Sequence, residues 1–458
     1  MSASPASLLK SKILADMENS KNSQALKKAK LGVKKFPNDP DFWSMSGFVL
    51  QSEKQYKKAA QYFLGAAKLR PGDEKDVENL ITALEMSNQI SAAESYLAKT
   101  IEKHPKNNQF PIFFGNLLAR NERWKELVEF TSDRLSRFPD WVGLLTLRGT
   151  AYNHLNRNLQ SFQDRRHAYE LSPTHPMAAR LYAQSLLQQG NKTEAKQILF
   201  AIVERDPNDL NAIYELSLIA TPDEARDLLK IIDNISQEDV HEEDLLYYAR
   251  AQLVKTSQDL GNALPFFAKA NAIRAAKNPY DAKKEKRFWE ISKSCFETTL
   301  TAKEQPNLGT NIPIFVVGQP RSGTTLLEMM LSSADDVFGC GELPAIGQFC
   351  KKYVEDAHDF SIMEAEKLAR YYVDNLPSIP KDGRAFVDKM PHNYQKLGFI
   401  LSAIPGAKVV NIMRDPRDTA LSTWVQRFPA SGITHANDWV AMAHSANLYR
   451  RYMDLWHS

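Results

Sequence analysis

The chain is poor in cysteine and has no long apolar run. Its three cysteines, Cys295, Cys340 and Cys350, are too few and too scattered for a disulfide framework, and none has the spacing of a zinc site. A small secreted disulfide scaffold is excluded, and a reducing, cytoplasmic setting is expected. No stretch reaches the roughly 18 consecutive apolar residues of a membrane span. The amino terminus, Met1-Ser-Ala-Ser-Pro-Ala-Ser-Leu-Leu-Lys10, lacks the apolar core of a signal peptide. Charge of one sign is not in excess either. Lys and Arg number 58 against 55 Asp and Glu, and a net charge of +3 supplies no basic field for nucleic acid. His392, His435 and His444 have no metal spacing, so no metal is expected. What the chain does have is length, 458 residues with 43% hydrophobic content, which implies two or more domains with buried cores.

Prolines recur at 37, 71, 105, 139, 173 and 207, always 34 residues apart. That is the period of tetratricopeptide repeats. Other positions keep the same register. Within one repeat they are Trp43, Gly47 and Leu50 on a first helix and Ala59, Phe63 and Ala66 on a second. A small-residue slot recurs as Gly47, Gly115, Gly149 and Ala183, and another as Ala25, Ala59, Ala93 and Ala195. Small side chains there let paired helices approach closely, and each proline closes a second helix. Thr131, Ser161 and Arg165 depart from the pattern. After Pro207 a worn repeat runs through Thr221-Pro-Asp-Glu and Asn234-Ile-Ser-Gln-Glu-Asp, and the phase resumes at Ala251, Ala263, Phe267 and Ala270. Residues 8–276 therefore resemble the tetratricopeptide family and imply an all-helical solenoid. Such arrays bind proteins or peptides on a concave face, or simply carry and oligomerise a neighbouring domain. Over 277–312 a helix from Asp281 to Thr299 is expected to cap the stack. Its run Lys283-Lys-Glu-Lys-Arg287 reads as a solvated face, and Thr301–Asn311 as a linker.

From Pro313 the pattern changes to apolar β-branched runs alternating with helical segments, the mark of a parallel sheet covered by helices. Strands are expected at Ile314–Val317, Ala385–Val387 and Lys408–Met413, each ending in charged residues. The first leads into Gly318-x4-Gly323-Thr324-Thr325 and then a helix. This is the spacing of a nucleotide-triphosphate loop, whose backbone amides at a helix start form an anion site. A threonine replaces the phosphate-gripping lysine, which argues against ATP or GTP held in the usual way, and Arg321 is the available cation. Ligands of open parallel sheets bind at the carboxyl ends of strands, so the loop, Lys389 and Arg414 are expected at one crevice.

In this order the pieces resemble the phosphosulfate-dependent sulfotransferases. Pro320-Arg-Ser-Gly-Thr-Thr-Leu326 looks like the family's 5′-phosphosulfate loop, and Ile412-Met-Arg-Asp-Pro-Arg-Asp-Thr-Ala-Leu-Ser422 like its 3′-phosphate motif. Cys340-Gly-Glu-Leu343 resembles the glutamate motif of the tyrosylprotein sulfotransferase branch, and Asp388-Lys-Met-Pro-His-Asn393 its lysine-bearing strand end. With the repeats, the chain resembles the repeat-containing sulfotransferases over nearly its whole length. The fold expected is an N-terminal tetratricopeptide α-solenoid followed by a P-loop-type parallel-sheet domain over 313–458. Family domains run further, so this one is expected to lack a segment that covers the adenine and 3′-phosphate.

The resemblance implies 3′-phosphoadenosine 5′-phosphosulfate as co-substrate, no metal, and a hydroxyl acceptor, which the repeats could present as a protein or peptide. It implies that Gly318, Arg321, Ser322, Gly323, Thr324 and Thr325 hold the 5′-phosphosulfate, and that Arg414 and Ser422 hold the 3′-phosphate. Glu342 would be the base, and Lys389 and Arg321 would stabilise the leaving phosphate. Arg417 is a weaker candidate, open to an ion pair with Asp415 or Asp418. Two other readings stay open: a repeat scaffold with a non-catalytic nucleotide-binding domain, and a P-loop kinase or NTPase in which Asp388 would be the magnesium-binding strand-end aspartate.

Overall fold

The structure is a computed structural model that describes residues 4–236, 242–297, 308, 311–356, 360–377, 379–380, 383–429 and 433–457. Its contacts divide the chain into two units, Met1–Gln189 and Gly190–Ser458.

The described part of the first unit is entirely helical, from Pro5–Glu18 to Pro176–Gln188. The second helix of successive pairs closes at Lys35, Leu69, Lys103, Arg137 and Leu171, each two residues before one of the phased prolines. The residue in between is pushed to φ near −130°, as at Phe36 (−131°) and Phe138 (−135°), because a following proline disfavours the helical region. The turn inside each pair carries a second 34-residue signal that the sequence reading missed. Ser20, Lys54, Asn88, Glu122 and Asn156 all take left-handed conformations, with φ between 55° and 59°. The next amide turns back on the first helix, Gln55 on Leu50 and Gln89 on Leu84, each at 2.8 Å. These bonds satisfy carbonyls that the ending helix leaves bare.

The small slots do what their size suggests. A Cβ on Gly47 would lie 2.6 Å from the Phe63 ring, and one on Gly115 would lie 2.7 Å from Leu147 Cδ1. Ala25, Ala59 and Ala93 are fully buried. The departures Thr131, Ser161 and Arg165 are buried too, but each side chain makes a hydrogen bond. Thr131 Oγ1 donates to the Leu127 carbonyl, Ser161 Oγ to the Gly149 carbonyl and Arg165 Nη1 to Ser185 Oγ. Polar side chains can replace apolar ones in a core only under that condition.

The second unit begins with the helices Lys192–Arg205, Leu210–Ser217, Pro222–Asp233, Glu243–Ser257 and Leu260–Lys277. Leu210–Ser217 has only 8 residues, which is where the repeat is worn, and a Thr221–Glu224 capping box starts the next helix. The remainder of that worn stretch, 237–241, lies outside the described residues. Ala251, Ala263, Phe267 and Ala270 are fully buried, as the resumed phase requires.

The sheet has four parallel strands in the order β2-β3-β1-β4: β1 Ile312–Gly318, β2 Val337–Gly339, β3 Ala385–Asp388 and β4 Lys408–Ile412. Strand β2, 3 residues long, is too short to show a period and was not expected from the sequence. Side chains alternate across β1. Val316 meets Leu327 and Leu331 of the helix Thr324–Leu331 on one face. Phe315 and Val317 enter the larger core on the other, with Phe386, Cys350, Tyr372, Phe399 and Tyr452. The helix expected as a cap on the repeats, observed at Ala282–Glu297, gives Phe288 to this same core, with Trp289 and Ile291 packed against it. The charged run on it is exposed apart from half-buried Glu285. Of the linker expected at Thr301–Asn311, only Leu308 and Asn311 are among the described residues.

Gly47→Leu should therefore destabilise the first unit by about 1–3 kcal/mol, the usual effect of forcing methylenes into a close-packed contact. Denaturant melts of the two proteins measure it, and an unchanged midpoint would show that Gly47 is not a close-contact position.

Candidate active site

Strand β1 ends at Gly318, opposite Ile412 of β4. A Cβ there would stand 2.7 Å from the Ile412 carbonyl oxygen, so glycine is what allows β4 to close on the loop. The loop then turns through Arg321, a non-glycine residue at φ 69°, and Gly323 at φ 110°. Left-handed backbone in a bulky residue costs energy and concentrates at ligand sites. Ser322 and Thr324 are buried, while Arg321, Gly323 and Thr325 are exposed. The helix Thr324–Leu331 starts with no side-chain cap, so its first amides keep their donor capacity. Amides at a helix start beside a guanidinium can accept an anion.

Arg321 reaches across the sheet end: its Nε donates to Ser422 Oγ at 3.2 Å. Ser422 lies near the end of the helix Pro416–Trp424, which follows β4 and opens on an Asp415 side-chain cap. Two candidates 101 positions apart are thus brought together. Arg414, just past β4, stands half exposed and pairs with Asp418 at 3.6 Å. Arg417 pairs with Asp415 at 2.9 Å.

A second pair forms beside β3. Lys389 Nζ and Glu342 Oε1 are 2.7 Å apart, with Lys389 buried and Glu342 half exposed. The segment holding Glu342 is tied to β3 by backbone bonds, Cys340 amide to Val387 carbonyl and Lys389 amide to Gly341 carbonyl, each 2.9 Å. Gly341, at φ 67°, makes the turn. A carboxylate–ammonium pair at a strand end can take up a proton and offset negative charge.

Sequence reasoning missed Glu328. This buried carboxylate on the helix Thr324–Leu331 accepts the Gly341 amide at 2.6 Å and so joins that helix to the Glu342 segment. Burial pushes its pKa up, opposed by the Gly341 amide and by Lys389. The available signal was a lone glutamate in the otherwise apolar run Leu326-Leu-Glu-Met-Met-Leu331. Cys340 is buried, and burial pushes its thiol up to about 12. Asp388 is wholly buried and accepts the Tyr372 hydroxyl at 3.0 Å. Burial pushes its carboxyl up to about 7, against the Tyr372 hydroxyl and the Leu343 and Met390 amides. No cluster of His, Cys, Asp or Glu among the described residues is arranged to hold a metal ion.

The sulfotransferase family profile matches residues 313–458, the stretch that contains both pairs. Residues 313–458 are a sulfotransferase-family domain. A tetratricopeptide repeat profile matches residues 159–217. An uncharacterized protein of Aquifex aeolicus (strain VF5) is 25% identical over 456 residues, covering 93% of this chain and 59% of that protein. Human protein O-mannosyl-transferase TMTC3 is 22% identical over 244 residues, 41% of this chain and 26% of its own length. The chain thus spans less than two thirds of either relative. A tetratricopeptide repeat protein from Parabacteroides merdae ATCC 43184 superposes on 51% of this chain and 92% of its own, at 16% identity and a TM-score of 0.36, too low to define a shared fold. No described helix is long and apolar enough to cross a membrane.

Asp388 gives the sulfotransferase-family domain a testable pH signature. Between about pH 4 and the folded value the native protein keeps a proton that the unfolded chain has released. Stability is therefore greatest below that window and falls as pH rises through it to about 7. Asp388→Asn keeps an acceptor for Tyr372 and cannot ionise. Its melting temperature should gain on the wild type between pH 5 and pH 8, and a constant difference would remove Asp388 as the source.

Proposed function

We propose that this protein transfers a sulfuryl group from 3′-phosphoadenosine 5′-phosphosulfate to a hydroxyl acceptor, in the cytoplasm, with the repeats presenting a protein or peptide. The observation that carries this reading is the pairing of Arg321 with Ser422 and of Lys389 with Glu342 at the carboxyl ends of adjacent strands of a sulfotransferase-family domain.

In this reading the loop amides, Ser322, Thr324, Thr325 and Arg321 hold the donor's 5′-phosphosulfate, with Gly318 and Gly323 letting the backbone approach. Arg414 and Ser422 hold the 3′-phosphate, Arg414 leaving Asp418 to do so. The acceptor oxygen attacks sulfur, a new O–S bond forms, and the bond from sulfur to the 5′-phosphate oxygen breaks. Glu342 takes the hydroxyl proton. Lys389 and Arg321 offset the charge that collects on the departing phosphate. The products are a sulfate ester and adenosine 3′,5′-bisphosphate. No side chain ends covalently modified, so positioning and charge do the work. The competing phosphotransferase reading needs Asp388 as a magnesium ligand. A wholly buried carboxyl bound by Tyr372 and held near neutrality is poorly suited to that.

Calorimetry with adenosine 3′,5′-bisphosphate tests the donor site. Binding should persist in EDTA and exceed that of ATP, and Arg321→Ala should weaken it by about 1.5–3 kcal/mol, the range for a charge-assisted bond. Loss of binding in EDTA, or preference for ATP, would favour the phosphotransferase instead. Glu342→Gln should lower turnover by about 10²–10⁴-fold, the usual contribution of a general base, while bisphosphate affinity holds. Undiminished turnover would take Glu342 out of the mechanism.

A further inference from the structure

The last two repeat helices, Glu243–Ser257 and Leu260–Lys277, grip the end of the helix that carries Ser422. The final carbonyls of a helix have no partner within it. Here they and the residues just beyond are met by three repeat side chains. Asn271 Nδ2 donates to the Trp424 carbonyl at 2.9 Å, Gln252 Nε2 to Val425 at 3.1 Å and Arg274 Nη2 to Phe428 at 2.6 Å. Arg274 is fixed by Asp244 at 3.2 Å, and a cation near a helix carboxyl end also suits the helix dipole.

Asn271 is the most constrained of the three. It is buried, its Oδ1 accepts the Tyr248 hydroxyl at 2.7 Å, and its Nδ2 also donates to the Phe267 carbonyl one turn back. Every polar atom of the amide group is thus engaged, and its rotamer has no alternative that would still serve Trp424. The Trp424 ring packs 6.1 Å from Phe267, in an apolar cluster with Tyr248, Ala251, Ala270 and Met442. Two residues before Trp424, Ser422 receives Arg321. An unbroken chain of bonds and covalent links therefore runs from the Tyr248 hydroxyl, through Asn271 and the helix end, to the loop arginine.

We propose that Asn271, backed by Tyr248, is a positioning residue for the donor: it sets where the helix Pro416–Trp424 presents Ser422 to the 3′-phosphate. This rests on the sulfotransferase reading given above. The repeats then act on the donor site itself, and not only on an acceptor. A merely adhesive contact would affect all nucleotides alike. A positioning contact affects the ligand that carries the 3′-phosphate.

The test titrates adenosine 3′,5′-bisphosphate and adenosine 5′-monophosphate into the full chain as wild type, Asn271→Ala and Tyr248→Phe, with melting temperatures taken alongside. The wild type should prefer the bisphosphate. Asn271→Ala should weaken the bisphosphate by about tenfold and the monophosphate by less than about twofold, so that the preference collapses. Tyr248→Phe, which removes only the bond to Asn271 Oδ1, should reduce the preference in the same direction and decides the matter if Asn271→Ala does not fold. An unchanged preference in a folded variant, or equal loss of both ligands, overturns this proposal while the donor reading stands. A wild type with no preference for the bisphosphate overturns the donor reading and this proposal with it.

Discussion

The parallel pairing of β1 with β3 on one side and β4 on the other is the constraint on which the site depends. Parallel strands all point their carboxyl ends the same way, so whatever follows each strand gathers at one edge. The loop after β1, Lys389 after β3 and Arg414 after β4 meet this condition although they lie up to 93 positions apart (414 − 321). The close approach of the Ile412 carbonyl to Gly318 shows how tightly the register is set. A side chain at Gly318 would spread β1 from β4, and Arg321 would lose its reach to Ser422.

Around that edge, charge is managed by burial as much as by pairing. Glu328 and Asp388 carry carboxyls whose pKa values burial raises, and each accepts a hydrogen bond from a group that must stay in place: the Gly341 amide for one and the Tyr372 hydroxyl for the other. Glu342 stands half exposed with Lys389 as its partner. The acids thus divide into two supports and one accessible group, and environment, not residue type, makes the division.

Much of this was legible beforehand, for physical reasons that differ by region. The prolines recur six times and the Gly47 and Ala59 slots four times each, because every helix pair solves the same packing problem. The strands β1, β3 and β4 announced themselves by apolar runs ending in charge. Strand β2 did not, because 3 residues cannot display a period. The left-handed turn positions were hidden because Ser20, Lys54, Asn88, Glu122 and Asn156 share a conformation and not a residue type. Glu328 was hidden because its role depends on Gly341, 13 positions away. The pairing of Arg321 with Ser422 required the sheet order, which no local pattern encodes. Asn271 was invisible for the same reason: its partner, Trp424, is 153 positions distant.

The placement of the helix Ala282–Glu297 bears on how such proteins can be assembled. The family match begins at 313, yet Phe288 fills the core behind β1, and Phe267 and Asn271 face Trp424. A fragment begun at residue 313 would leave a hole where Phe288 belongs, and removing one buried aromatic side chain alone costs about 3–5 kcal/mol. Against the roughly 5–15 kcal/mol that holds a domain folded, that is a large share. It would also leave the carbonyls of Trp424, Val425 and Phe428 without the repeat donors that meet them. Earlier repeats can be gained, lost or exchanged at the level of their own stacking. The last helices cannot, and the seam at which recombination could graft this domain onto another array lies upstream of residue 243, inside what the period alone would count as repeat.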